Sequence, residues 1–227
     1  MDDQPLPVLS KGSLSGVNIS RFNRPEIETE ASVLRQTKGI AANEFIFAFI
    51  ARKSLDKGAI DVLLAFAKVV RMHPEARLLF VGPDESDGKV DQTINSDPLL
   101  ISHVLNIGKV DNHEVYLAIS DLLCLPSYRE GFGSIVIDAA AASVATIGSD
   151  IPGLVDAIEN GKTGVLFPAG DIEQLAKIMC WFVENPEQVG QMGKCARDRV
   201  NTYFTADLLY QALKDLYFEH AAHRHPL

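Results

Sequence analysis

The chain is short of sulfur, of positive charge and of long apolar runs, and each shortage removes a class of function. Its 227 residues include three cysteines, Cys124, Cys180 and Cys195, odd in number and without CxxC spacing. That pattern excludes a disulfide framework and suits reduced thiols. Lys and Arg number 21 against 30 Asp and Glu, leaving a net charge of -9. A nucleic-acid groove or an anionic membrane surface needs clustered positive charge, so neither is expected as a direct partner. No apolar run reaches the ~18 residues that would span a bilayer. The charged start Met1-Asp-Asp-Gln is not a signal peptide. The expected compartment is the cytoplasm, and no internal repeat or low-complexity tract interrupts the chain.

What the chain does have is 47% apolar residues, enough for the core of one large domain or of one domain with appendages. Residues 1–43, rich in Ser, Gly, Asn and Pro, read as a linker or loop. The organised domain is expected over 44–227. Glu44 to Ala51 is a short continuous apolar run suited to a strand buried on both faces. Lys57 to Met72 then has helical spacing, with Ile60, Leu63, Leu64 and Ala67 inward. Further strands are expected at Arg77–Val81, Val104–Ile107, Asp121–Leu125, Val144–Gly148 and Gly164–Phe167, most of them separated by helical segments. Six strands alternating with helices imply an open, doubly wound parallel α/β sheet with its ligand at the carboxyl ends of the strands. Asp171 to Glu219 reads as a helical extension, with Pro186 opening its second helix and Thr205 capping a third.

The motifs fall at those strand ends. Glu130-Gly-Phe-Gly-Ser-Ile-Val-Ile-Asp138 places one carboxylate before a glycine turn and a second inside an apolar helix. A helix opening near Gly133 or Ser134 points its first amides and its positive dipole end forward, which favours a diphosphate. Asp138 leans back toward the same place, and Glu130 approaches from the loop. The plainer alternative makes Glu130 the complement of a helix start and Asp138 a buried acid paired with a core donor. Among Ile135, Val136, Ile137 and Ala139 such a charge needs a partner or ligand hydroxyls. Arg52-Lys-Ser-Leu-Asp-Lys57-Gly58 sets two cations around a strand-to-helix turn, in reach of a diphosphate gaining charge as its sugar bond breaks. The alternative there is a solvated turn. Gly82-Pro-Asp and Gly108-Lys-Val, taken alone, are ordinary turns.

Together these segments resemble the C-terminal half of a retaining GT-B-fold glycosyltransferase of the glycosyl transferases group 1 family. The resemblance begins at Gly12-Ser-Leu-Ser-Gly-Val-Asn-Ile-Ser-Arg-Phe22. It continues through Phe49-Ile-Ala-Arg52, Asp56-Lys57-Gly58, Leu79-Phe-Val-Gly82, Leu125-Pro-Ser127 and Arg129-Glu130-Gly-Phe-Gly133, and closes with Ser149-Asp-Ile-Pro-Gly153 and Gly161-Lys-Thr-Gly164. It implies that Glu130 binds donor-sugar hydroxyls, Asp138 the ribose, and Arg52 and Lys57 the diphosphate. Glu130, Arg52 and Lys57 would carry the catalytic contribution. Gly82 and the Lys109-Val110 turn would flank the base, while Gly131, Phe132, Gly133 and Ser134 would approach sugar and phosphate. No metal or cofactor is implied: no Asp-x-Asp pair occurs, and His220, His223 and His225 lie in a polar tail. The substrate would be a nucleoside diphosphate sugar, a UDP-sugar by preference, in bacterial polysaccharide or glycolipid synthesis. The whole enzyme could then work peripherally at the inner membrane face without direct contact from this domain.

Two departures stand out. Asp138 occupies a position where the family usually has Glu, and Ala51 one where glycine commonly precedes the arginine. The N-terminal acceptor domain is also missing, so the chain reads as a piece of a longer enzyme, a truncated reading frame or one half of a split enzyme. Alone it should be inactive or nearly so. A noncatalytic nucleotide-sugar-binding module that needs a separate partner, and an epimerase or phosphate-donor enzyme on the same fold, are the alternatives.

Overall fold

The computed structural model describes residues 16–224, with side chains described through Phe218. The start of the Gly12–Phe22 motif and the side chains of His220, His223 and His225 lie outside the described residues. Six strands, β1 (Phe45–Ile50), β2 (Ala76–Val81), β3 (Val104–Ile107), β4 (Leu122–Leu125), β5 (Ala145–Ser149) and β6 (Gly164–Phe167), form one sheet in the order 3-2-1-4-5-6. Every pair is parallel. This is the doubly wound α/β sheet expected from the alternation of segments.

β1 shows why the sheet must be covered on both faces. In Phe-Ile-Phe-Ala-Phe-Ile successive side chains point to opposite sides, and nearly all are buried. Ile46, Ala48 and Ile50 enter a core shared with α2 (Ile27–Thr37), α6 (His113–Ala118), α7 (Ser134–Ala141) and α10 (Pro186–Tyr203). Phe47 and Phe49 enter the opposite core with α3 (Ala59–Met72), α4 (Lys89–Asn95), α5 (Pro98–His103) and α9 (Ile172–Glu184). Phe49 lies 4.8 Å from Phe80, and Phe47 meets Phe66 edge-on at 6.3 Å. Each such buried ring contributes about 1.5–3 kcal/mol by leaving water. At the amino end, Asp121 Oδ2 accepts from the Ile46 amide at 2.7 Å and docks β4 onto β1; burial pushes its carboxyl above the usual range.

The C-terminal extension follows the expected punctuation. Asp171 caps α9 by accepting from the Gln174 amide, and Pro186 is the first residue of α10. Thr205 Oγ1 accepts from the Leu208 amide at the start of α11 (Ala206–Arg224). No described helix is long and apolar enough to cross a membrane.

Three local expectations need correction. Residues read as loop include α1 (Ser20–Asn23) and α2. Ile27, Ala31 and Leu34 have helical spacing that the polar composition hides, and α2 packs on α6 with Ala31 buried. Leu64, expected inward, is 40% exposed; Val62, Phe66, Val69 and Val70 fill the buried face of α3 instead. Lys57 does not open α3 but ends a separate 3-10 turn, Leu55–Lys57, which Gly58 breaks at φ 68°. Between β5 and β6 a short α8 (Leu154–Ala157) completes the chain.

Candidate active site at the strand tips

The chain runs outward from β1 through β2 to β3, returns to β4 beside β1, and runs out again through β5 to β6. The reversal opens a crevice at the carboxyl ends of β1 and β4, the place where open parallel sheets bind ligands. Two loops border it. The Tyr128 amide donates to the Asp56 carbonyl at 2.8 Å and ties the loop after β4 to the turn after β1. The approach is close enough that a Cβ on Gly58 would lie 2.1 Å from the Pro126 carbonyl oxygen, so only glycine permits it.

This contact brings Lys57 and Glu130 together. Lys57 Nζ lies 2.8 Å from Glu130 Oε1, with side chains 16% and 13% exposed. Ser127 Oγ, wholly buried, donates to the same oxygen at 2.9 Å, and Lys57 also donates to the Arg129 carbonyl at 3.2 Å. The loop therefore holds a lysine and a carboxylate as one unit.

Arg52, half-exposed at the tip of β1, is paired as well. Its Nη1 donates to Glu85 at 2.6 Å, and its Nη2 stands 3.7 Å from Asp56. The Ser54 hydroxyl, 2.5 Å from Asp56, holds that carboxyl below the usual range, with Lys57 and Arg52 adding to the effect. Lys53 turns under the site instead. Its ammonium is buried against Asn106 and the Ile107 carbonyl, and burial lowers its pKa. It braces the tips of β1 and β3.

α7 starts after Gly133, which has φ 69°. Asp138 lies one turn in and is met by His113 of α6, with Nε2 3.0 Å from Oδ2. Gly131 and Ser134 are exposed at the turn. Phe132 is only 5% exposed and packs against Phe204, so its backbone alone can face a ligand. Gly82 follows β2, and its amide donates to the Ile107 and Gly108 carbonyls. Lys109 is exposed on the turn after β3, where Val110 packs on the core. Outside the crevice, a groove of about 910 Å³ runs between α3 and α4 and shares Asp56 and Arg129 with the rim of the site.

The sequence reading missed Ser127, Glu85 and His113. Ser127 carried a signal, in the Leu125-Pro-Ser127 strand end. Glu85 and His113 carried none, because only the sheet order brings the loop after β2 to Arg52 and α6 to α7.

A parallel sheet in this order, with its crevice at the point of reversal, defines a Rossmann-like domain. The chain belongs to the glycosyl transferases group 1 family, whose model matches residues 31–199. It is 25% identical over 222 residues to the capsular polysaccharide biosynthesis glycosyltransferase CapM of Staphylococcus aureus, covering 95% of this chain and 56% of CapM. It is 30% identical over 196 residues to the N-acetyl-alpha-D-glucosaminyl L-malate synthase of Bacillus anthracis, covering 86% and 51%. Its fold matches the crystal structure of Anabaena HepE in complex with UDP and glucose at a TM-score of 0.81 and 22% identity, covering 90% of this chain and 55% of that one. The chain thus spans about half the length of the relatives it matches.

Proposed function

We propose that this domain is the donor-binding half of a retaining glycosyltransferase. The enzyme would pass a sugar from a nucleoside diphosphate, UDP by preference, to an acceptor hydroxyl in bacterial polysaccharide or glycolipid synthesis. The observation that carries the reading is the Lys57–Glu130 pair at the β1/β4 crevice, with Arg52 and the start of α7 beside it. Arg52, Lys57 and the α7 amides would hold the diphosphate and stabilise its charge as it leaves, without a metal. Glu130 would bind sugar hydroxyls. Its engagement by Lys57 and Ser127 suits that role better than nucleophilic attack. Asp138 would take the ribose, and Gly82, Lys109 and Val110 would border the base. CapM and HepE, named respectively for capsular polysaccharide synthesis and for a complex with UDP and glucose, support the substrate class.

An acceptor domain or partner would have to complete the enzyme. Leu55 and Tyr128, 49% and 46% exposed, flank the Glu130 turn and offer it apolar surface. The test is calorimetric titration of the chain with UDP and GDP in the absence of metal. Saturable UDP binding, weakened in Arg52→Ala and Asp138→Ala, is expected, with little or no sugar transfer. A folded chain that binds neither nucleotide would sink the reading.

The Glu85 contact makes a prediction of opposite sign. An incoming diphosphate must compete with Glu85 for Arg52, so Glu85→Gln should tighten UDP binding. The gain should stay below roughly tenfold and fade with added salt, because both partners are about half exposed. Titrations at low and high ionic strength check both statements, and a weaker-binding variant would mean that Glu85 helps rather than competes.

A further inference from the structure

His113 is the first residue of α6, directly beyond the turn that carries Lys109 and Val110. Its Nε2 stands 3.0 Å from Asp138 Oδ2, and each side chain is 22% exposed. Among the described residues, Asp138 Oδ1 carries no hydrogen bond to the protein. One carboxylate oxygen is therefore taken and the other is not.

The structure also holds His113 in place from behind. Its ring packs 6.4 Å from that of Phe22, which is buried in the core. The next residue, Glu114, is buried and bound by Arg21 at 2.7 Å, with Arg24 3.7 Å away. The first turn of α6 is thereby fastened to the segment before α2. Asp138 has no such brace on its own helix, where Val136, Ile137 and Ala139 are buried apolar neighbours.

We propose that His113 is a positioning residue for nucleotide recognition. Its Nε2–H holds Oδ2 of Asp138 and so presents Oδ1 to the ribose hydroxyls of a nucleoside diphosphate. The proposal rests on the donor-site reading of Asp138 and adds a residue from a third segment to it. A carboxylate left to rotate would make the same contacts only part of the time. A hydrogen bond to an ionised group fixes its orientation.

The experiment compares the affinities of UDP and GDP with those of their 2′,3′-dideoxy counterparts. A merely structural contact would not move the ratio of the two affinities. The wild-type chain is expected to prefer the ribose form by about tenfold or more, the loss expected when a bound hydroxyl's partner is removed. His113→Phe keeps a ring against Phe22 but cannot donate, and should lower the ratio severalfold, through a loss of ribose-form affinity that the dideoxy form does not share. His113→Gln places an amide donor near the position of Nε2 and should restore most of the preference. Asp138→Asn should lower the ratio, with no further loss when His113→Phe is added. A wild-type chain that prefers the ribose form, with His113→Phe keeping the same ratio, would overturn this proposal alone. No binding by the wild type, or equal binding of ribose and dideoxy forms, would overturn the ribose role of Asp138 as well.

Discussion

Lys57→Ala is expected to weaken UDP binding by roughly 100-fold or more, and Glu130→Gln in the same chain to recover roughly tenfold of that loss. Two effects combine in the single substitution. A charge-assisted hydrogen bond to a phosphate oxygen is worth about 1.5–3 kcal/mol, and each ~1.4 kcal/mol is a factor of ten in affinity. The substitution also strips Glu130 of its counter-ion at 2.8 Å, in a place where its side chain is 13% exposed. An unpaired carboxylate would then face the incoming diphosphate, and breaking a shielded pair costs more than the pair contributes. Neutralising Glu130 removes the second effect and leaves the first. The measurement is a calorimetric cycle of wild type, both single variants and the double variant, with urea midpoints to show that each is folded. Strictly additive losses would mean that the two side chains act independently, and the site would lose its centre.

Much of this site was legible before the structure because the strand ends are written in local patterns. Phe-Ile-Phe-Ala-Phe-Ile reads as a strand buried on both faces, and Glu130-Gly-Phe-Gly announces a turn into a helix. Local pattern places Arg52 after β1, Lys57 in the turn that follows, Glu130 in the loop before α7 and Asp138 one turn into that helix. It does not say which side chains meet. That Lys57 finds Glu130, Arg52 finds Glu85 and His113 finds Asp138 follows from the sheet order, which sets β1 between β2 and β4 and lays α6 beside α7. The same limit explains α2. Its apolar residues cover one narrow face and are outnumbered by polar and charged ones together, so only the packing against α6 shows why that helix forms.

The largest effect on folding and binding together is expected from Gly82→Ala. Gly82 follows β2 with φ 139°, a backbone conformation that side-chain-bearing residues rarely adopt. A Cβ built there would lie 1.8 Å from the carbonyl oxygen of Ala51, the residue before Arg52. Neither atom can yield cheaply, because the oxygen belongs to backbone at the tip of β1. The Gly82 amide meanwhile donates to the Ile107 and Gly108 carbonyls at the tip of β3. Three strand ends thus converge on one residue without a side chain, and an alanine must push β1 and β2 apart where Arg52 and the buried Lys53 emerge. The expected cost is at least about 3 kcal/mol, in the range reached when a strained backbone site meets a steric clash. UDP binding should be lost even where the chain still folds. Gly108→Ala provides the contrast: that glycine has no positive φ and no atom within 4 Å of a built Cβ, so its cost should stay under about 1 kcal/mol. Urea denaturation of both variants, followed by UDP titration below the midpoint, decides the matter. Equal stabilities for the two would mean that the tips of β1 and β2 are free to part, and the crevice could not hold its cations as tightly as the Lys57–Glu130 and Arg52–Glu85 distances require.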